Sequence, residues 1–180
     1  MILSYKDCIK KYGNAYQISK QIAAKKLYKL ENGYYSAEPY PSELEIITLK
    51  YPKAVLTSDY AFFIHGLTDV VPEKYFLATA AKAAKITDPR VKQIYERDNL
   101  LWVGVIDMKI DAVPVKIYDK ERMLIELLRN KNTMPYDLYK EILNHYRQII
   151  DSLEIWRIEE YADTFPKSKM INKALSEEVF

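Results

Sequence analysis

Between residues 4 and 12 the apolar positions Tyr5, Cys8, Ile9 and Tyr12 recur with a helical period, and Lys6, Lys10 and Lys11 lie off that stripe. The spacing predicts a short helix, and Gly13 marks its C-terminus. Asn14 is placed to cap a second helix over residues 15–26. Ile18 and Ile22 face inward there with Ala15 on the same side. Gln17, Lys20, Gln21 and Ala24 face outward, flanked by Tyr16 and Ser19. The stretch "LYKLENGYYS" (27–36) then changes period. Asn-Gly between two β-prone runs is a strong hairpin signal, because both turn residues take positive φ. A two-residue turn at Asn32-Gly33 predicts Glu31 opposite Tyr34 and Leu30 opposite Tyr35. Tyr28, Leu30 and Tyr35 would share one face, with Lys29, Glu31, Tyr34 and Ser36 on the other. A lone two-stranded hairpin is marginal, so its apolar face is expected to lean on the helices.

Beyond it "AEPYP" (37–41) reads as a linker. Ser42 with Glu45 has capping-box spacing for a helix running to about Tyr51, which Pro52 ends. The pattern then mixes α and β. "AVLTS" (54–58) reads as a strand, "DYAFFIHGL" as a helix closed by Gly66, and "KYFLAT" (74–79) as a buried strand. Residues 80–85 have helical composition, Asp88-Pro89 breaks it, and "VKQIY" (91–95) suits a strand. "LLWVGVIDMKI" (100–110) and "VPVKIYD" (113–119) read as strands joined near Asp111-Ala112. Asp119 caps a helix to Asn130, and further helices are predicted over 135–151, 152–162 and from 168 on.

Charge sharpens this outline. The net charge of the 180 residues is +2, yet residues 1–36 carry seven lysines against Asp7 and Glu31, a net +5, leaving −3 for the rest. A basic head on a slightly acidic body suits binding to a polyanion. Helix, tight turn, helix and basic hairpin form a minimal winged helix-turn-helix. In such a module the helix before the wing enters the major groove and the wing meets phosphates. Tyr16, Gln17, Ser19, Lys20 and Gln21 are the candidate base readers; Lys25, Lys26, Lys29 and Asn32 are the candidate phosphate and wing contacts. Gln suits adenine and Lys suits guanine or phosphate, but the head has no arginine, the commonest reader of guanine.

Little else carries chemistry. Apolar runs such as 61–64 are far too short to cross a bilayer, and the charged N-terminus lacks a signal-peptide pattern. A cytoplasmic protein without membrane contact is expected. Cys8 is the sole cysteine, and with His65 and His145 it matches no zinc-ligand spacing. His65, behind four apolar residues, reads as a hydrogen-bonded core histidine. Asp107 and Asp111 raise a metal-dependent phosphoryl-transfer reading, but no Gly-Ser pair, P-loop, GxGxxG or GxSxG accompanies them. No enzymatic activity, cofactor or metal is expected.

Two stretches resemble the AbiEi family of antitoxins. "YPKAVLTSDYAFFIHGLTDVVPEKYFLAT" (51–79) resembles the segment in which an apolar strand leads to a serine-containing helix ending in His-Gly-Leu. "VKIYDKERMLIELLRN" (115–130) resembles the family's Tyr-Asp-x-Glu-Arg-Thr-Leu-x-Asp-Leu-x-Arg signature. The resemblance covers about residues 1–150. Met123 and Glu126 stand where threonine and aspartate are usual, Tyr60 stands near a usual serine with Ser58 close by, and the head has room for two helices before the wing where the family commonly has three. The resemblance implies the antitoxin of a type IV toxin–antitoxin pair that represses its own operon. Its partners would be operator DNA, on which it would sit as a homodimer, and a nucleotidyltransferase-like toxin that it need not touch. His65, Tyr118, Glu121 and Arg122 are the implied motif residues of the antitoxin domain. The expected fold class is α+β (mixed α/β): a small winged helix-turn-helix over 1–38 and a larger mixed α/β domain over 42–180 ending in several helices. The alternatives are a head of the same fold that binds protein instead of DNA, and, behind it, the phosphoryl-transfer enzyme.

Overall fold

Ser4 turns the chain from strand to helix. It ends β1 (Ile2–Ser4) and caps α1 (Tyr5–Tyr12) with a full capping box: its Oγ accepts the Asp7 N–H, and the Asp7 carboxylate accepts the Ser4 N–H. Gly13 closes α1 at φ 92°. Asn14 Oδ1 accepts the Gln17 N–H at 2.9 Å and starts α2 (Ala15–Ala23). This helix stops three residues short of the predicted Lys26. Lys25 is left-handed (φ 56°), its N–H bonds the Ile22 carbonyl, and the Lys26 N–H bonds that of Gln21. That is a Schellman stop with lysine where glycine is usual. In the computed structural model, which describes residues 2–180, the chain forms two compact units. One extends to Pro52 and takes in Asp111–Val113; the other comprises Lys53–Ile110 and Pro114–Phe180.

In the first unit the hairpin forms as β2 (Tyr28–Glu31) and β3 (Tyr34–Ser36), but its register differs from the predicted one. Glu31 faces Tyr34 as expected, whereas Tyr35 faces Lys29 rather than Leu30, and Tyr28 faces Ser36. Leu30 is an extra residue, a bulge that shifts the alternation beyond it. Gly33 alone has positive φ (85°) in the Asn32-Gly33 turn. The hairpin also gains a third strand that the sequence did not suggest. β1 pairs antiparallel with β3, from Ile2 opposite Ser36 to Ser4 opposite Tyr34, so the sheet order is β1-β3-β2. Cys8, Ile18, Leu27 and Tyr35 are buried together, with Leu3, Ile9, Tyr12 and Ile22 packed around them. Ala15 is exposed rather than inward.

The predicted domain boundary at residues 38–42 also moves. Helix α3 (Glu43–Lys50) belongs to the head's unit. Ser42 makes no side-chain cap: the Glu45 N–H bonds the Ser42 backbone carbonyl, and the Glu45 carboxylate accepts the Ile2 N–H at 2.9 Å. Five residues on, Lys50 pairs with Glu31 at 2.9 Å. Ile2 and Glu31 lie on the two outer strands, so α3 is tied to both edges of the small sheet. Leu44, Ile46 and Ile47 are its buried side chains.

The second unit is built on a five-stranded mixed sheet of order β6-β5-β4-β8-β7. The central strand β4 (Val55–Leu56) is antiparallel to β5 (Tyr75–Ala80) and parallel to β8 (Val113–Tyr118), with Leu56 opposite Ile117. β6 (Val91–Glu96) extends the sheet parallel to β5. β7 (Val105–Ile110) joins β8 through Asp111-Ala112, both left-handed at φ 47° and 68°. The predicted helix over residues 80–85 does not form: Ala80 ends β5 and residues 81–85 are loop, and residues 100–104 are turns rather than strand. Leu100 and Leu101 are buried there, and both of their N–H groups donate to the Arg97 carbonyl. Helices α4 (Ser58–Ile64), α5 (Lys120–Arg129), α6 (Tyr136–Ile149), α7 (Ile155–Thr164) and α8 (Ser168–Ala174) complete the unit, followed by a π-helical turn over Leu175–Val179. α5 packs against the other four. The fold is therefore α+β. No described helix is long and apolar enough to cross a membrane.

Candidate functional site

The seven head lysines, Lys6, Lys10, Lys11, Lys20, Lys25, Lys26 and Lys29, all stand exposed. Of the candidate base readers on α2, Tyr16, Ser19 and Lys20 are exposed, Tyr16 to 73%. Gln17 and Gln21, predicted to face outward, are half-buried on the flank of the helix. The Schellman stop then turns the chain so that Lys25 and Lys26 project between α2 and the hairpin, where Lys29 and Asn32 are also exposed. The hairpin is not a free arm: the Gly33 carbonyl accepts the Tyr5 N–H at 2.8 Å, and the Tyr5 and Tyr35 rings lie 6.4 Å apart. Cys8 is fully buried, and burial pushes its thiol pKa up, which makes it an inert core residue.

In the second unit the residues of the 115–130 motif meet at a buried polar centre. Arg122 is wholly buried. Its Nη2 lies 2.8 Å from Glu96 Oε2 and 2.6 Å from Glu126 Oε1. Arg129 Nη1 lies 2.9 Å from the same Glu126 oxygen and 3.5 Å from Glu96. Two guanidinium groups and two carboxylates thus balance here, the fully buried Arg122 being paired as a buried charge must be and the other three partly exposed. The Arg122 Nε and Nη1 find no hydrogen-bond acceptor. Their compensation is aromatic: the guanidinium carbon sits 3.6 Å from the Phe165 ring centroid and 4.7 Å from that of Tyr118, sandwiched by two π faces.

The neighbours of Arg122 hold the strand-to-helix corner. Asp119 Oδ1 caps α5 by accepting the Arg122 N–H at 2.7 Å, and Oδ2 accepts the Tyr161 hydroxyl at 3.0 Å. Burial raises the Asp119 pKa, and these two hydrogen bonds work against the rise. Glu121 Oε1 accepts the Glu154 N–H at the start of α7. The Tyr118 hydroxyl donates to the Leu101 carbonyl, and its pKa is raised by burial. His65 Nε2 donates to the Tyr118 carbonyl at 2.7 Å, so the imidazole ties α4 to the end of β8. Burial lowers the His65 pKa, and the bond to Tyr118 opposes that in part. Gly104 backs the corner at φ 75°: its carbonyl accepts the Asp119 N–H, and a methyl there would lie 2.6 Å from the Arg122 Cβ.

The structure places His65, Tyr118, Glu121 and Arg122 at one strand-to-helix corner, where the last three are buried and His65 is half-buried, a brace rather than an open surface. Sequence reading missed Glu96, Phe165, Tyr161 and Gly104. They come from distant parts of the chain, and no local pattern marks them. Asp107 lies within β7, paired with Lys116 at 2.9 Å, and Asp111 lies in the turn that follows. Among the described residues no group of three His, Cys, Asp or Glu side chains is placed to hold a metal ion. Neither a protein-family model nor a curated protein matches the chain.

Proposed function

We infer that the chain is a DNA-binding antitoxin that represses its own operon and counteracts a nucleotidyltransferase-like toxin. The observation that carries this reading is the exposed face of the head. Tyr16, Ser19 and Lys20 on α2 continue into Lys25, Lys26 and Lys29, a surface with hydroxyl, aromatic and ammonium groups beside a hairpin. Such groups position a protein on phosphates. Lys20 and Tyr16 are the groups of α2 that would approach base edges; the half-covered Gln17 and Gln21 would do so only from the flank. The resemblance of residues 51–79 and 115–130 to AbiEi antitoxins supports the second half of the reading.

The test is fluorescence anisotropy of the full chain on the DNA upstream of its own gene, at two salt concentrations, against a scrambled duplex. Selective binding that weakens with salt is expected, since phosphate contacts release counterions. Equal affinity for both duplexes, or none for either, would remove the repressor from the reading.

A further inference from the structure

The π-helical turn over Leu175–Val179 places a carboxylate in a basic groove. The groove has a volume of about 370 Å³, lies along α6, and is lined by Lys131, Tyr136, Tyr139, Lys140, Arg147 and Glu178 among others. The two Glu178 oxygens lie 2.7 and 2.9 Å from Lys131 Nζ, and the Tyr139 hydroxyl donates to one of them at 2.8 Å. Arg147 Nε donates to the Glu178 backbone carbonyl at 2.7 Å. Leu175 and Val179, both buried, anchor the turn. Turns of this kind often sit at functional sites.

Three cations and one carboxylate line this groove. Lys131 is matched by Glu178. The Arg147 guanidinium meets a carbonyl and the Asn144 side-chain oxygen, both uncharged. The Lys140 ammonium lies 4.6 Å from the Tyr136 ring centroid, and that ring is 62% exposed. Glu178 is thus held as a phosphate would be, by an ammonium and a hydroxyl with a guanidinium alongside. Cations for a phosphate and an exposed aromatic side chain for a base are the two parts that grip a nucleotide.

We propose that this groove binds a nucleoside phosphate, free or within a single strand, with Tyr136 stacked on the base and Lys131, Lys140 and Arg147 on the phosphate, and that Glu178 is the resident anion the phosphate displaces. Glu178 competes as a carboxylate. Burial alone would raise its pKa, but the hydrogen bonds from Lys131 and Tyr139 and the charges of Lys131 and Arg147 outweigh burial and lower it.

Isothermal titration of the full chain with ATP and with a twelve-residue oligothymidylate tests this. Binding is expected for at least one. Lys140→Glu with Arg147→Glu should weaken it about tenfold or more. Lys140→Gln with Arg147→Gln should weaken it in the same direction, and this neutral pair covers the case in which charge reversal prevents folding. Glu178→Gln should tighten it about threefold, the scale of one partly exposed ion pair. Lys109→Glu, at an exposed position on β7 outside the groove, should leave it unchanged. ATP binding with this pattern assigns a free nucleotide; oligothymidylate binding alone assigns a strand. The proposal is overturned if neither ligand binds at about 1 mM, if the Lys140 and Arg147 variants bind like the parent, or if Glu178→Gln binds more weakly. An unchanged affinity in Tyr136→Ala removes the base-stacking contact.

Discussion

Arg122 shows how one side chain can commit a fold to a geometry. Its Nη2 serves two carboxylates while two other nitrogens lie against aromatic faces with no acceptor. Removing one member of a buried charge group strands the others. Arg122→Met is therefore expected to cost about 3 kcal/mol of unfolding free energy, measured by urea titration. Gly104→Ala should destabilise by about 2 kcal/mol in the same assay, since it adds a left-handed non-glycine residue and a contact with Arg122. His65 carries a pH dependence of known sign. Its pKa is lowered in the fold, so the neutral ring is favoured there, and below the ordinary value of 6.5 the unfolded chain takes up protons the folded chain resists. The His65 contribution is fully present above about pH 6.5 and is lost as pH falls through the lowered pKa. Urea titrations at pH 7.5 and 5.5 should show a smaller loss on acidification in His65→Gln, which keeps an N–H donor, than in the parent.

At the scale of elements, the periodic segments were legible and the turns were not. Caps such as Asn14 and Asp119 act within four residues of chain, so their sequence pattern is complete in itself. The register of the hairpin depends on the Leu30 bulge, and the pairing of β1 with β3 depends on residues thirty positions away. Neither leaves a local mark. The turn with two left-handed residues, which Asn32-Gly33 advertises, occurs instead at Asp111-Ala112, without glycine. The Ser42–Glu45 pair forms no capping box: the Ser42 side chain caps nothing, and the Glu45 carboxylate, the acceptor for the return bond, takes a backbone N–H on β1 instead. The junction of α2 with the hairpin has its own consequence. Lys25 takes a left-handed conformation that costs a non-glycine residue about 1 kcal/mol. Lys25→Gly is expected to raise the stability of the head by about 0.5 kcal/mol, net of glycine's greater freedom when unfolded, seen as a higher midpoint in thermal unfolding.

For the whole molecule, what the sequence showed best was a distribution of charge, with the lysines gathered in the first thirty-six residues. It showed least about the candidate site in the body. The 115–130 segment stands out as a string, but the partners Glu96 and Phe165 are assembled only by the fold, around an Arg122 that is wholly buried while Glu96, Glu126 and Arg129 stay partly exposed. The two units also separate two kinds of experiment. Under the antitoxin reading, Lys20→Glu with Lys29→Glu should derepress the promoter in a reporter assay while cells still survive the toxin. Loss of both activities together would mean that the head serves the antitoxin effect as well as repression.

The bond between the Tyr5 N–H and the Gly33 carbonyl, with β1 laid along β3, has a consequence for recognition. A hairpin fixed at its tip and along one edge has already given up its conformational entropy on folding. A partner docking there meets a rigid surface and need not order it, so little of the binding free energy is spent on that term. Association at such a surface is governed by long-range attraction and by the fit of side chains such as Lys29 and Asn32, not by coupled folding.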